Sequence, residues 1–329
     1  MVSTSVLSTE GPAASTAACA AAVKVLKNGG VVALPTETVY GLAADALDPA
    51  ACAKIFEAKS RPYSDPLIVH IPILSWIETL SEPSPLVHRL AEAFWPGPLT
   101  LVIPRKPLVP DIVTGGQETI ALRMSRHPIF RQLIEAFDGP LAAPSANRFG
   151  KISPTTADHV MQELGGRIPL IIDGGPCAHG IESTIVQVTG AEMRILRSGP
   201  ITAGQLSAFG PVVEPDSAAP VTPGSMKSHY APVTPIDILP PEAVMAMPPA
   251  ERARCGLLLP EPVPALSAGF AAVEHLSETG DLAEMATNLY AAMRRLDAME
   301  LNRIITIPAR ADGIGVAIRE RLCKASARE

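Results

Sequence analysis

The sequence predicts an α/β fold in two parts, and three observations carry that expectation. Short apolar runs at 31–34, 67–71, 99–103, 119–124, 141–143 and 168–172 alternate with segments of helical character. Several runs end in polar or basic residues, the pattern of one site built along the rim of an open α/β sheet. A proline-rich stretch at 210–235 then separates this part from a smaller unit, 236–329, which also alternates strand-like and helix-like segments.

In chain order, residues 1–14 show no basic segment followed by a long apolar one, so a flexible tail is expected and not a signal peptide. Residues 16–28 are rich in Ala, with Ser15 or Thr16 to open a helix and Gly29-Gly30 to end it. Residues 31–34 form a buried strand stopped by Pro35. Asp48-Pro49 is a helix start, a cap followed by proline in the first turn, and it places Lys59 and Arg61 at or just past the helix end. Strands follow at 67–71, 99–103, 119–124, 141–143 and 168–172, with helices at 85–94 and 128–137. Thr155 with Asp158 suggests a cap for a helix at 156–164. Residues 183–188 and 193–197 read as a strand pair with Gly190 in the turn. In the smaller unit, strands are expected at 236–239, 255–259 and 303–307 and helices at 281–299 and 314–324. Gly313-Ile314-Gly315 lacks the third glycine of a dinucleotide fingerprint.

Composition narrows the classes. The 329 residues suit two domains or one large one, and a hydrophobic content of 47% suffices for a packed core. The net charge of −6 argues against a broad nucleic-acid surface while allowing a small cationic pocket. Five scattered cysteines without a CxxC pair indicate neither a zinc site nor a disulfide framework, and an odd count suits a reducing cytoplasm. No apolar run is long enough to cross a membrane as a helix.

The chemistry gathers in VVALPTETVYGLAADALDPAACAKIFEAKSRPYSDPLIVHI, residues 31–71. A buried strand that hands over to Thr36-Glu37-Thr38 can point hydroxyls and a carboxylate into a crevice, or can merely cap a turn. Lys59, Arg61, Arg123, Arg148, Lys151 and Arg197 all fall at element ends or loops. Singly each reads as surface charge; together they suggest a clamp for a triphosphate. There is no Walker A sequence, no HExxH and no GxSxG elbow around Ser183, so Ser183 is read as a binding hydroxyl. Cys177 and His179 are taken as incidental. Met226-Lys227-Ser228-His229-Tyr230 lies inside the proline-rich stretch, where a plain spacer needs no such cluster.

PTETVYGL, KIFEAKSRP, PLIVHI, WPGPLT, APSAN, DGG, ESTIV and HYAP, in this order and spacing, resemble the Sua5/YrdC-type threonylcarbamoyl-AMP synthases over about residues 15–235, and the remainder in outline. The resemblance implies a YrdC-like twisted, open mixed sheet with helices at 15–209, a linker at 210–235 that covers the active site, and a small Rossmann-like α/β Sua5 domain at 236–329. It implies an enzyme that makes threonylcarbamoyl-AMP and pyrophosphate from L-threonine, bicarbonate or CO2, and ATP, with Mg2+ carried by the nucleotide. It implies threonine binding by Thr38, His70, Arg123, the Ala143 backbone and Ser183. ATP would be held by Lys59, Arg61, Asp65, Thr119, Ser145, Ser153, Arg197 and Tyr230. The product would pass to the tRNA threonylcarbamoyl-transferase machinery for t6A modification. Direct RNA contact is expected to be weak or absent. One departure is Ser225, an apparent insertion in TPGSMKSHYAP, which is expected to alter the loop path and spare Tyr230. The rivals are a carbamoyltransferase of hydrogenase maturation, whose zinc-finger modules this chain lacks, and a non-catalytic nucleotide- or RNA-binding factor.

Overall fold

The computed structural model describes residues 2–215 and 219–327; residues 216–218 of the expected linker lie outside the described residues. The chain divides into two compact units. The first takes 1–149, 154–178 and 182–225; the second takes 150–153, 179–181 and 226–329. The cut at 225/226 falls inside the expected linker, 210–235. Residues up to 225 go with the first unit, and two short loops of the expected catalytic domain go with the second.

The first unit is built on strands β1 (Ser5–Ser8), β2 (Val32–Leu34), β3 (Gly41–Asp45), β4 (Ile68–His70), β5 (Leu99–Pro104), β6 (Thr119–Arg123), β7 (Leu141–Ala142), β8 (Leu170–Asp173), β9 (Thr184–Thr189), β10 (Glu192–Arg197) and β11 (Val212–Val213). They form one mixed sheet in the order β1-β8-β2-β3-β7-β4-β6-β5-β9-β10-β11. The expected flexible tail is corrected here: β1 pairs in parallel with β8, Ser5 opposite Leu170 through Ser8 opposite Asp173. The first helix begins earlier than expected, at Pro12, with Gly11 as its cap in place of Ser15 or Thr16. The helix Ala157–Leu164 is capped by Thr156, whose side chain accepts from the His159 amide, and not by Thr155. Asp48 does cap the helix Pro49–Lys59, accepting from the Ala50 amide.

Side-chain alternation along the central strands divides the sheet's two faces. Val69, Leu101, Ile103, Ile120, Leu122 and Val186 join the main core with the helices Pro49–Lys59 and Pro85–Phe94. Their neighbours Ile68, Val102, Ala121 and Ile185 form a small apolar cluster on the other face. His70, Thr100, Thr119 and Arg123 are two residues from members of that cluster, so they share its face. The pairing then sets Arg123 opposite His70 on one side and opposite Thr100 on the other.

The second unit carries β12 (Ile236–Ile238), β13 (Cys255–Leu259), β14 (Ala272–His275) and β15 (Arg303–Thr306), all parallel, in the order β12-β15-β13-β14. β14 had no clear sequence signal. Asp281 caps the helix Leu282–Asp297, accepting from the Glu284 amide at 2.7 Å. The helix buries Met285, Leu289, Ala292, Met293 and Leu296, the apolar stripe its periodicity predicts. Among the described residues no helix is long and apolar enough to cross a membrane.

Candidate active site

The loop after β2 folds on itself. The Thr36 hydroxyl donates to the Val39 carbonyl at 2.6 Å and accepts from the amides of Thr38 and Val39. Thr36 is thus the turn-maker, and its Oγ1 lies 2.9 Å from that of Thr38. The turn aims Glu37 inward. Arg123 donates to Glu37 Oε1 at 2.8 Å, and the Ser125 hydroxyl donates to Oε2. Both charged side chains are about 95% buried, at 4% and 5% exposure. Burial alone would raise the Glu37 pKa. The Arg123 charge and the hydrogen bonds from Ser125 and Arg123 outweigh it and hold the carboxyl at about 2. His70, on the neighbouring strand, has its ring 4.6 Å from that of Phe130. Burial, with repulsion from Arg123, pushes its pKa down to about 3, so its imidazole is neutral near pH 7. Among the described residues Arg123 Nε and His70 Nδ1 are buried without a hydrogen-bond partner.

Thr100, the cross-strand partner of Arg123, belongs to a second polar group with Ser183. Their hydroxyls are 2.7 Å apart. Arg197, at the end of β10, donates from Nε and Nη2 to the Ser183 carbonyl and from Nη2 to its hydroxyl, at 3.0–3.1 Å. Its Nη1 reaches the Pro223 carbonyl at 3.0 Å. Gly199 permits this approach: a Cβ there would lie 2.5 Å from the Thr184 nitrogen and 2.8 Å from the Ser183 carbonyl carbon.

Lys59, Arg61 and Asp65 form the third part. Ser60 caps the preceding helix in the left-handed conformation, φ 53°, and turns the chain between the two cations. Lys59 is buried and donates to the carbonyls of Ser145 and Asn147. Burial, then the neighbouring Arg61 charge, pushes its pKa well below the usual lysine value. Arg61 donates from Nε to the Asp65 carbonyl at 3.1 Å and from Nη2 to the Pro66 carbonyl at 2.6 Å, and pairs with the Asp65 carboxylate at 3.0 Å. Burial raises the Asp65 pKa, against the opposing pull of Arg61, Lys59 and Arg197. Those three cations therefore share one electrostatic neighbourhood.

The remaining expected residues divide. Ala143 donates its amide to the Ile68 carbonyl at 2.8 Å, and Ser145 bridges to Gly41, so the turn after β7 lies against β3 and β4. Thr119 shares the face of Arg123 but stands at the opposite end of β6. Arg148 is nearly half exposed and pairs with Glu163 at 3.1 Å, as an ordinary surface cation does. Lys151, Ser153 and Tyr230 belong to the second unit. Cys177 is buried, and burial pushes its thiol up to about 12, so it is no nucleophile near neutrality. Glu37 as the partner of Arg123, and Ser125 and Thr100 as members of the network, escaped the motif reading. The Arg123-Met124-Ser125 spacing, which can set two side chains on one side of an extended chain, was the available signal for Ser125.

Fold and site together define an α/β protein in which buried cations adjoin a charge-balanced polar network. Residues 24–199 match the Sua5/YciO/YrdC family, described as "Telomere recombination", and residues 195–327 match the C-terminal domain of threonylcarbamoyl-AMP synthase. The threonylcarbamoyl-AMP synthase of Bacillus subtilis is 40% identical over 93% of this chain and 92% of its own length. That of Pyrococcus abyssi is 37% identical over 92% of each. The crystal structure of P. abyssi Sua5 complexed with L-threonine matches with a TM-score of 0.85 and 34% identity, over 98% of this chain and 97% of that one. The chain belongs to the Sua5/YrdC family of threonylcarbamoyl-AMP synthases. HypF in its phosphate- and nucleotide-bound form, 21% identical with a TM-score of 0.51, shares the fold alone.

Proposed function

We propose that this chain makes L-threonylcarbamoyl-AMP and pyrophosphate from L-threonine, bicarbonate or CO2, and ATP. The observation that carries the reading is the set of three buried polar groups, Glu37–Arg123, Thr100–Ser183–Arg197 and Lys59–Arg61–Asp65, the first two on paired strands β6 and β5 and the last two linked by the pull of Arg197 on Asp65. The first is charge-balanced and suits a zwitterion; the last has excess positive charge and suits a polyphosphate.

Thr38, His70, Arg123, the Ala143 backbone and Ser183 take threonine. Glu37 and Ser125 fix the Arg123 guanidinium, and its buried Nε remains to donate to the threonine carboxylate. The neutral His70 can accept a hydrogen bond at Nδ1. Lys59, Arg61, Asp65, Thr119, Ser145, Ser153, Arg197 and Tyr230 take ATP. The threonine amine adds to CO2 and loses a proton, giving a carbamate. A carbamate oxygen attacks the α-phosphorus, and the bond to the β-phosphate oxygen breaks to release pyrophosphate. The protein's part is to hold the two reactants in line, an effect that can contribute roughly 7–11 kcal/mol. Lys59, Arg61 and Arg197 offset charge on the phosphates. Mg2+ would enter on the nucleotide and add to that neutralisation; no group of three His, Cys, Asp or Glu side chains suited to a metal occurs among the described residues.

A carboxylate mixed with AMP in an anhydride is labile, so the product must be consumed promptly by a transfer step. We assign that step to t6A formation on tRNA in the cytoplasm. Pyrophosphate release measured with ATP, Mg2+ and bicarbonate, with and without L-threonine, tests the reading. Threonine-dependent release with a product carrying both threonine and AMP is expected; ATP binding without any release would leave a nucleotide-binding role.

A further inference from the structure

The second unit gathers the two expected ATP ligands that lie outside the first, and its own arginines hold both. Ser153 ends the short loop 150–153, and Tyr230 sits in the strip 229–231. Strip and loop are tied together: Ala231 donates its amide to the Gly150 carbonyl at 2.9 Å, and Lys151 bridges to Ala231. The loop is tied to the helix Leu282–Asp297 because Arg294 donates to the Ile152 carbonyl. The strip is tied to the last helix, Gly315–Ser326, because His229 donates its amide to the Lys324 carbonyl at 3.2 Å.

Tyr230 itself is over-determined. Its φ is 62°, in the left-handed region, and a tyrosine stays there only when its surroundings require it. Its ring stacks on Tyr290 at 5.8 Å and 27°, meets the edge of His229 at 4.1 Å, and carries the Arg321 guanidinium 5.2 Å from its centre. Arg321 is fully buried, with Glu320 at 3.5 Å as its nearby carboxylate. A guanidinium at this distance and out of water attracts a ring more strongly than an exposed one. The loop 179–181 rides on the same helix. A Cβ on Gly180 would lie 2.4 Å from Thr287 Cα, a backbone approach that only glycine allows, and its φ is 68°.

We infer that Arg321 and Arg294 are positioning residues for ATP, the first holding Tyr230 and the second holding the Ser153 loop. This rests on the proposed function and on Tyr230 and Ser153 as ATP ligands.

The test compares Arg321→Met, Arg321→Lys, Arg294→Met and Tyr230→Ala with the parent in the full-length chain. Steady-state KM for ATP and for threonine would be read together with backbone hydrogen exchange over 226–232 and thermal unfolding. For Arg321→Met we expect an ATP KM raised about tenfold, a threonine KM within about twofold, faster exchange at 226–232, and partial rescue by lysine, at an unchanged unfolding midpoint. Arg294→Met should raise the ATP KM similarly. Unchanged ATP KM in both methionine variants overturns the inference, as does an equal loss for both substrates that tracks lost stability. If Tyr230→Ala leaves the ATP KM unchanged, the inference fails at its premise while the synthase reading stands. A parent without threonine-dependent pyrophosphate release overturns that reading instead, and the exchange rates then still decide whether Arg321 holds the strip.

Discussion

The surroundings of Lys59 and of Arg123 are both buried and both charged, yet they differ in balance. Around the Asp65 carboxylate stand three basic side chains, Lys59, Arg61 and Arg197. At Arg123 one guanidinium meets one carboxylate, with Ser125 completing the pair. Buried charge is costly unless it is paired, so the basic excess of the first region favours an anionic guest. The second is balanced in charge, with Arg123 Nε left to donate, and it suits a guest with no net charge. The depressed pKa of Lys59 and the depressed pKa of Glu37 express the same contrast. The lysine is pushed toward neutrality by burial and a like charge, whereas the carboxylate is kept ionised by an opposite one.

The largest effect is expected from Arg61→Ala. It removes a cation, a buried ion pair and two carbonyl contacts at once, and ATP-dependent activity should fall about 100-fold or more, as when other charge-stabilising groups are lost. Steady-state pyrophosphate release measures it.

Glu37→Gln should act on the other side. Leaving Arg123 uncompensated costs about 3–5 kcal/mol of stability, and the threonine KM should rise far more than the ATP KM. The acid arm sharpens this. The Glu37 pKa is about 2 in the folded chain, against an ordinary value of about 4.3. Its stabilisation is full above about pH 4.3 and lost as pH falls toward 2, so chemical denaturation of Glu37→Gln should show a flatter slope across that window. His70 adds a separate window. Its folded pKa of about 3 lies below the ordinary value of about 6.5, so its neutral burial favours folding above about 6.5 and loses effect as pH falls. His70→Asn should flatten the stability curve between about pH 6.5 and 4.5, where Glu37 does not titrate.

The smallest effect is expected at Arg148. Its pair with Glu163 is largely exposed on the arginine side, so Arg148→Ala should cost about 0.2–1 kcal/mol and leave turnover within about twofold. A large loss of activity would bring Arg148 back into the phosphate clamp.

Much of this site was legible in the sequence because its residues sit at strand ends, where an apolar run breaks into polar residues: Thr38 after β2, His70 ending β4, Arg123 ending β6, Arg197 ending β10. Lys59 and Arg61 were legible from the Asp48-Pro49 start, which fixes where that helix stops. What escaped depended on distance in the chain. Glu37 and Arg123 are 86 residues apart, and Thr100 and Ser183 are 83 apart, so only the sheet order brings them together. β1 escaped because its side chains are largely exposed and its place is fixed by backbone pairing with β8, which leaves no apolar alternation to read. β3 escaped because Gly41-Leu-Ala-Ala-Asp has no β-branched residue and suits a helix as well as a strand.

The most direct test of the central claim is calorimetric titration of Arg61→Ala and Glu37→Gln, each with ATP plus Mg2+ and, separately, with L-threonine. A crossed result is expected: Arg61→Ala loses ATP and keeps threonine within a few-fold, while Glu37→Gln loses threonine and keeps ATP. Loss of both ligands in both variants, with the fold intact, would contradict the division of the site into a cation-rich end for the polyphosphate and a balanced end for the amino acid.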